Sequence, residues 1–300
     1  MATTTSLQEQ AAAAGFSSIS ETRRAWTHFI KNRGALIALG AVTLIILAAL
    51  LAPWLTGYSP YAQNLGAALL PISHAHLLGT DQYGRDEFTR VLYGTRTALE
   101  TGFVVVAISL SIGTVWGLIS AFYGGWVDML AMRIADVIMA FPFLLLALMI
   151  VAALGPGLQN AEVAIAITYM PVYARLVRSV ALGIKSLDFV VAARSSGARD
   201  SWILRKHFLP NLMSTLVVQA TLNIGTAIIN LASLSFLGLG VQPPTADWGY
   251  MLADGENYIL QAPILVLAPG IAILILVLSC NLIGDGLRDA LDPKSRRSNT

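Results

Sequence analysis

Charge is what this sequence has least of. Asp, Glu, Lys and Arg make up 12% of its 300 residues, about half the ~25% usual for a soluble globular domain. That shortage excludes an ordinary water-facing surface. A net charge of +2, dispersed along the chain, gives nucleic acid nothing to hold. Cysteine occurs once, at Cys280, which excludes an intrachain disulfide. Chemical signatures are missing too. There is no Gly-x-x-x-x-Gly-Lys-Ser/Thr phosphate loop, no His-Glu-x-x-His and no Gly-x-Ser-x-Gly. Neither ATP binding in that mode nor the common hydrolase chemistries are expected of this chain, and no metal site is expected.

Apolar residues, by contrast, form 56% of the chain. They gather in runs of at least ~18–20 residues, long enough to cross a hydrocarbon core of about 30 Å. Six spans are predicted: Gly34–Leu55, Ala98–Tyr123, Ile134–Leu154, Ala161–Val180, Leu212–Phe236 and Pro263–Ile283. The fourth is the weakest, because Pro171, Arg175 and Arg178 interrupt it. The fold class is therefore all-α and polytopic. The first run is longer than the ~7–15-residue apolar core of a signal peptide, so it reads as a retained anchor.

Three regions follow from this pattern: a segment over 1–33, a membrane domain over 34–292, and a tail over 293–300. Residues 1–20, rich in Ala, Ser, Thr and Gln, are expected to be disordered. Between Glu21 and Arg33, an apolar stripe of Ala25, Trp26, Phe29 and Ile30 runs beside Arg23, Arg24, Lys31 and Arg33. It suits either a helix lying on the membrane surface or an extension of the first span.

Basic residues set the orientation. With the N-terminus inside, inner segments and helix ends hold 16 of the 19 Lys and Arg residues. Only Arg85, Arg90 and Arg96 fall outside, near Asp81, Asp86, Glu87 or Glu100. Both termini are expected to be cytoplasmic, with a long outer loop over 56–97 and a basic cytoplasmic loop over 181–211. No predicted span carries a carboxylate at its centre, since Asp136 and Glu162 fall near span ends. Ion-coupled secondary transport is thereby disfavoured.

The basic loop carries the most information. Asp188 is placed to cap a short helix through Phe189–Arg194, Gly197 to stop it, and Asp200 to cap a second through Trp202, with Pro210 ending that one. The result is a knob with exposed apolar and basic side chains, or else an interfacial loop held by its charge.

Elsewhere, Gly113 and Gly117, with Ser109 and Ala121, make a small-residue face for close helix approach, within the bundle or against a partner. Pro142 and Pro171 are candidate kinks in spans three and four. Gln219, Asn223 and Asn230 share one face of span five and are candidates for lining a pathway. His74 and His76 could face one way on a strand and bind nickel or zinc, but without a third ligand a solvated loop is the expectation. Asp247, Asp254 and Glu256 either meet an external partner or are ordinary outward carboxylates.

Several segments together resemble a known family. Phe189-Val190-Val191-Ala192-Ala193-Arg194-Ser195-Ser196-Gly197-Ala198, followed by Phe208-Leu209-Pro210-Asn211, resembles the Glu-Ala-Ala…Gly loop of ABC importer permeases. Leu78-Gly79-Thr80-Asp81-Gln82-Tyr83-Gly84-Arg85-Asp86 is similar to a signature of the dipeptide/oligopeptide/nickel branch, in its second or C-type permease. Leu234–Pro244 with Trp248-Gly249, and Asn281–Pro293, are similar to that branch in the same order. The resemblance spans roughly 24–294.

It implies a type I importer permease fold and a pathway shared with a second homologous permease. It also implies two cytoplasmic ATPase subunits or domains that hold the ATP and Mg, a substrate-binding protein outside, surrounding lipid, and a bacterial inner-membrane location. In that family the loop docks on the ATPase. Val191, Ala192, Ala193, Arg194, Gly197, Ala198, Arg199 and Trp202 are the residues that would do so here. The chain departs from the pattern at Val191, where many relatives carry the glutamate, so docking would rest on apolar packing and on Arg194 and Arg199. The implied cargo is a di- or oligopeptide, with nickel as the alternative within the family. The chain itself is expected to catalyse nothing and to hold no cofactor.

Overall fold

The computed structural model describes residues 21–291, with side chains from Trp26 onward. The expected disorder of residues 1–20 and the tail 293–300 fall outside the described residues. Those described are almost entirely helical, in the order α1 (Glu21–Lys31), α2 (Arg33–Leu55), α3 (Glu87–Tyr123), α4 (Gly125–Met139), α5 (Phe143–Leu154) and α6 (Leu158–Lys185). There follow α7 (Asp188–Ser195), α8 (Asp200–Ile203), α9 (Leu209–Phe236), α10 (Trp248–Glu256) and α11 (Ile264–Leu291). Five helical stretches are long and apolar enough to cross a membrane, and a sixth span arises if α4 and α5 count as one.

One of the expected spans needs correction. The third was placed at Ile134–Leu154, but its helix begins at Gly125 and breaks at Ala140–Pro142, leaving two pieces bent by 90°. Pro142 sits at the N-cap of α5, where a missing N–H does no harm. The fourth, expected at Ala161–Val180 and the weakest in sequence, lies within one unbroken helix, α6, that runs through Pro171. Its polarity reflects enclosure: half of its most apolar stretch is buried, against 22% of that of α2. A helix surrounded by helices needs no continuous lipid-facing apolar surface.

The small-residue face predicts the tightest contact. A Cβ added at Gly113 would lie 2.5 Å from Tyr173 Cβ, and one at Gly117 would lie 2.3 Å from the Ala174 carbonyl oxygen. Ser109 and Ala121 are buried on the same helix. α3 therefore packs backbone against backbone on α6, and the face serves the bundle interior. α9 and α11 cover the other side of α3, and α2 lies on α11. α1 is a separate helix, because Asn32 leaves the helical conformation and its side chain accepts from the Ala35 N–H at 3.1 Å. Phe29 is buried on α11, whereas Trp26 is exposed.

Pro53 lies inside α2. Without an N–H it leaves the Ala49 carbonyl without its helical donor. Arg96 of α3 supplies one, its Nε donating to Ala49 O at 2.8 Å. Arg96 thus braces two spans through backbone rather than pairing with Glu100.

Candidate functional site

At one end of the bundle the chain between α6 and α9 forms a compact knob. Lys185 closes α6 by donating its Nζ to the carbonyls of Ala121 and Phe122 at 2.9 and 2.7 Å, which are acceptors at the end of α3. α7 then starts at Asp188. Its N-cap is Leu187 and no side-chain cap bond forms, so the expected cap by Asp188 is not made. The carboxylate sits one position later, in the first turn, where it still favours the helix dipole.

Gly197 stops α7 at φ +77°. Its N–H donates to Arg194 O at 3.0 Å and that of Ala198 to Ala193 O at 3.1 Å, the two bonds of a Schellman stop. Asp200 likewise occupies the first turn of α8, with Arg199 as an N-cap that makes no side-chain bond. Pro210 does not end this helix. A π turn over Leu204–Phe208, closed by Leu209 N–H to Leu204 O, runs straight into α9. The widened turn accommodates the proline ring and its missing donor.

The inner side of the knob is greasy. Val190, Ile203, Phe208 and Leu212 are buried with Phe122, Val177, Ala181 and Ile184 of α3 and α6. At about 2 kcal/mol for each fully buried side chain, these four hold the knob to the bundle firmly enough to move with it. Phe208 meets Phe122 edge-on at 5.7 Å, and the Arg194 guanidinium lies 4.8 Å above the Phe122 ring. Arg194 therefore has an internal anchor as well as an exposed head.

The outer side is different. Phe189, Val191 and Trp202 are 43, 53 and 49% exposed. His207 sits between the Phe189 and Trp202 rings, at 5.2 and 5.1 Å. Arg199, Ser201, Trp202, Arg205 and Lys206 line a surface hollow. Ala192 is exposed, while Ala193 and Ala198 are half-buried. The eight loop residues singled out from sequence thus share one structure. Lys185 and His207, which brace it, carried no signal beyond their residue types, whereas Phe208 belonged to the segment that resembles the importer loop.

At the opposite end, residues 56–86 and 237–263 knit into a cap. Asp81 accepts from the N–H groups of Tyr83 and Arg85 at 2.8 and 2.9 Å, and pairs with the Arg85 and Arg90 guanidiniums. Arg90, 1% exposed, donates to Pro60 O and Pro244 O at 3.0 and 3.4 Å. Trp248 Nε1 donates to Val91 O at 2.9 Å. Two segments distant in sequence are locked together by these contacts. Asp247 caps α10 and is buried, and Asp254 faces Arg85 at 3.6 Å, so of the three outer-loop carboxylates only Glu256 is exposed. Burial pushes the Asp247 and Asp254 carboxyls above their ordinary range. His76 pairs with Asp86 at 2.9 Å and packs against Tyr58. Among the described residues no group of three or more His, Cys, Asp or Glu is placed to hold a metal.

Of the three polar residues of span five, Gln219 and Asn223 are joined and Asn230 has a partner on α6. Gln219 donates to Asn223 Oδ1 at 3.0 Å and lines a cavity of about 530 Å³ with Ser214, Thr215 and Arg288. Asn223 is buried within the bundle, and Asn230 donates to the Tyr169 hydroxyl at 2.9 Å. Asp136 lies in the last turn of α4, three residues before its end at Met139, and pairs with Arg175.

Known proteins share both sequence and fold. Residues 113–297 match the model of the binding-protein-dependent transport system inner membrane component family, and residues 20–71 match the N-terminal transmembrane domain of oligopeptide transport permease C. The dipeptide transport system permease protein DppC of Alkalihalophilus pseudofirmus is 47% identical over 94% of this chain and 92% of its own length. That of Haemophilus influenzae is 43% identical over 91% of this chain and 94% of its own. The glutathione transport system permease protein GsiD of Pectobacterium atrosepticum is 45% identical over 91% of both. Among solved structures, the MetNI methionine ABC transporter, in an inward-facing conformation, matches with a TM-score of 0.56. It is 23% identical and is covered over 98% of its chain and 68% of this one.

Proposed function

The chain belongs to the binding-protein-dependent inner-membrane permeases of ABC importers, and on that premise we propose that it forms half of a pathway for di- or oligopeptides. A second, homologous permease supplies the other half. Two ATPase subunits or domains hold the ATP and Mg and dock on the knob from the cytoplasm. A substrate-binding protein delivers cargo at the cap. The chain spans a bacterial inner membrane with both termini cytoplasmic, and it catalyses no reaction itself.

One observation carries this reading: the knob is fixed to α3 and α6 on its inner side and presents Phe189, Val191 and Trp202 on its outer side. An apolar, basic-rimmed surface on a rigid lever is what a partner ATPase needs in order to move the bundle. ATP binding would draw the knobs together and open the pathway outward; hydrolysis would reset it. Val191 makes that contact apolar where relatives place a glutamate.

Reconstitution tests it. The chain with its partner permease, ATPases and binding protein should import labelled dipeptide only with ATP. Uptake that persists without ATPases and collapses with the proton gradient would make it a secondary transporter, and uptake of nickel in place of peptide would change the cargo.

A further inference from the structure

Two ion pairs tie α4 to α6, and they are built differently. Arg178 grips Asp128 through both Nε and Nη2, and Ser120 donates to the same carboxylate. That is a bidentate brace. Arg175 gives only Nη2, to one oxygen of Asp136, and neither side chain makes another polar contact. The two are 44 and 49% exposed. An open cavity of about 350 Å³, lined by Met132, Asp136, Arg175 and Arg178, adjoins them.

Depth gives this exposure its meaning. Arg175 lies ten residues before the end of α6 and Asp136 eleven after the start of α4, about 15 Å along each helix. Both ends are the knob end of the bundle, and Arg175 falls within the span expected over Ala161–Val180, five residues from its inner end, so the pair lies on the knob side of a spanning segment. Charges at that depth do not face lipid; they face a water-filled cavity or another protein. The cavity beside them favours water. A half-used carboxylate and a half-used guanidinium are then presented together to whatever passes.

We propose that Asp136 and Arg175 form a recognition point in the pathway for small zwitterionic peptides, Asp136 accepting from the peptide ammonium and Arg175 donating to the peptide carboxylate. The proposal rests on the reading that the chain imports peptides. The two charges suit a short peptide, whose opposite charges are only about 7 Å apart when two residues are extended. An exposed, single-bonded pair also contributes little by itself, so peptide termini can replace its contact without leaving a tightly held intermediate.

Cysteine accessibility in the assembled importer tests this. Cys280 is this chain's only native cysteine and is buried, so labelling of a Met132→Cys variant, read on this chain after the subunits are separated, reports on the cavity. A membrane-impermeant maleimide should label it in inside-out vesicles. Saturating Ala-Ala should slow labelling at least fivefold, whereas N-acetyl-Ala-Ala and Ala-Ala-amide should slow it less than twofold. Adding Asp136→Asn or Arg175→Gln should abolish protection while the ATPases still co-purify.

Absence of labelling would mean that the partner permease or lipid covers the pair, and would overturn the proposal. Equal protection by blocked and free peptides would overturn it as well. Peptide import by the wild-type complex is measured in parallel. If no peptide is imported, the cargo reading fails; if peptide is imported but Met132→Cys is unprotected, only this proposal fails.

Discussion

Replacing Gly197 separates backbone geometry from contact in the knob. The residue sits at φ +77°, and a Cβ added there would meet nothing within 4 Å. Any cost of substitution is therefore conformational, not steric crowding by neighbours. Alanine in the left-handed region costs about 1 kcal/mol, a β-branched residue about 2 or more, and asparagine a few tenths, because its side chain tolerates that region. At about 1.4 kcal/mol per tenfold change, Gly197→Ala should lower the population of correctly stopped knobs roughly fivefold and Gly197→Val roughly thirtyfold or more. Gly197→Asn should be nearly silent although asparagine is larger than alanine.

In reconstituted complex, peptide imported per ATP hydrolysed should follow the order Gly, Asn, Ala, Val. Basal hydrolysis should persist throughout, while its stimulation by peptide-loaded binding protein falls. If Gly197→Asn is as damaging as Gly197→Val while Gly197→Ala is harmless, size at a docked surface governs this position. The Schellman-stop argument then fails.

Three further outcomes follow from packing and charge. Gly117→Ala should destabilise the purified complex by about 1–3 kcal/mol in thermal unfolding, since its Cβ would press on a backbone carbonyl that cannot yield, whereas Gly183→Ala, with open space, should be near neutral. Arg96→Gln should cost about 1.5–3 kcal/mol, and that cost should shrink in a Pro53→Ala background, where Ala49 O regains a helical donor; a double-mutant cycle with no coupling would refute the link. Burial raises the folded-state Asp254 carboxyl above its ordinary 3.8, so its contribution to cap stability is full below about pH 4 and is lost as the pH rises through the raised value; melting of the complex from pH 4 to 8 should show this fall, and Asp254→Asn should reduce it.

The parts of this fold legible in the sequence are those fixed locally. Apolar runs such as Gly34–Leu55 announce themselves because nothing else can fill a bilayer with twenty residues. Gly113 and Gly117 announce a close crossing, and Gly197 a helix stop, because only glycine meets those demands cheaply. The caps at Asp188 and Asp200 were misplaced by one residue, since a first-turn carboxylate and an N-cap carboxylate look alike without dihedral angles. α6 looked weak for a reason no single segment reveals: its neighbours, not lipid, cover its polar positions.

The same limit explains what was missed at Asp136. Read as a string, the residues before Ile134 look too polar to open a span, because Asp128 and Arg133 break the apolar run. In space, Asp128 and Asp136 meet Arg178 and Arg175 from a helix some forty to fifty residues further on. Pairing removes the net charge that made the segment look unfit for the membrane, and α4 can start at Gly125. Asp136 stands beside a guanidinium with which it forms a neutral unit, and a neutral, accessible pair is suited to meeting a ligand that carries both signs.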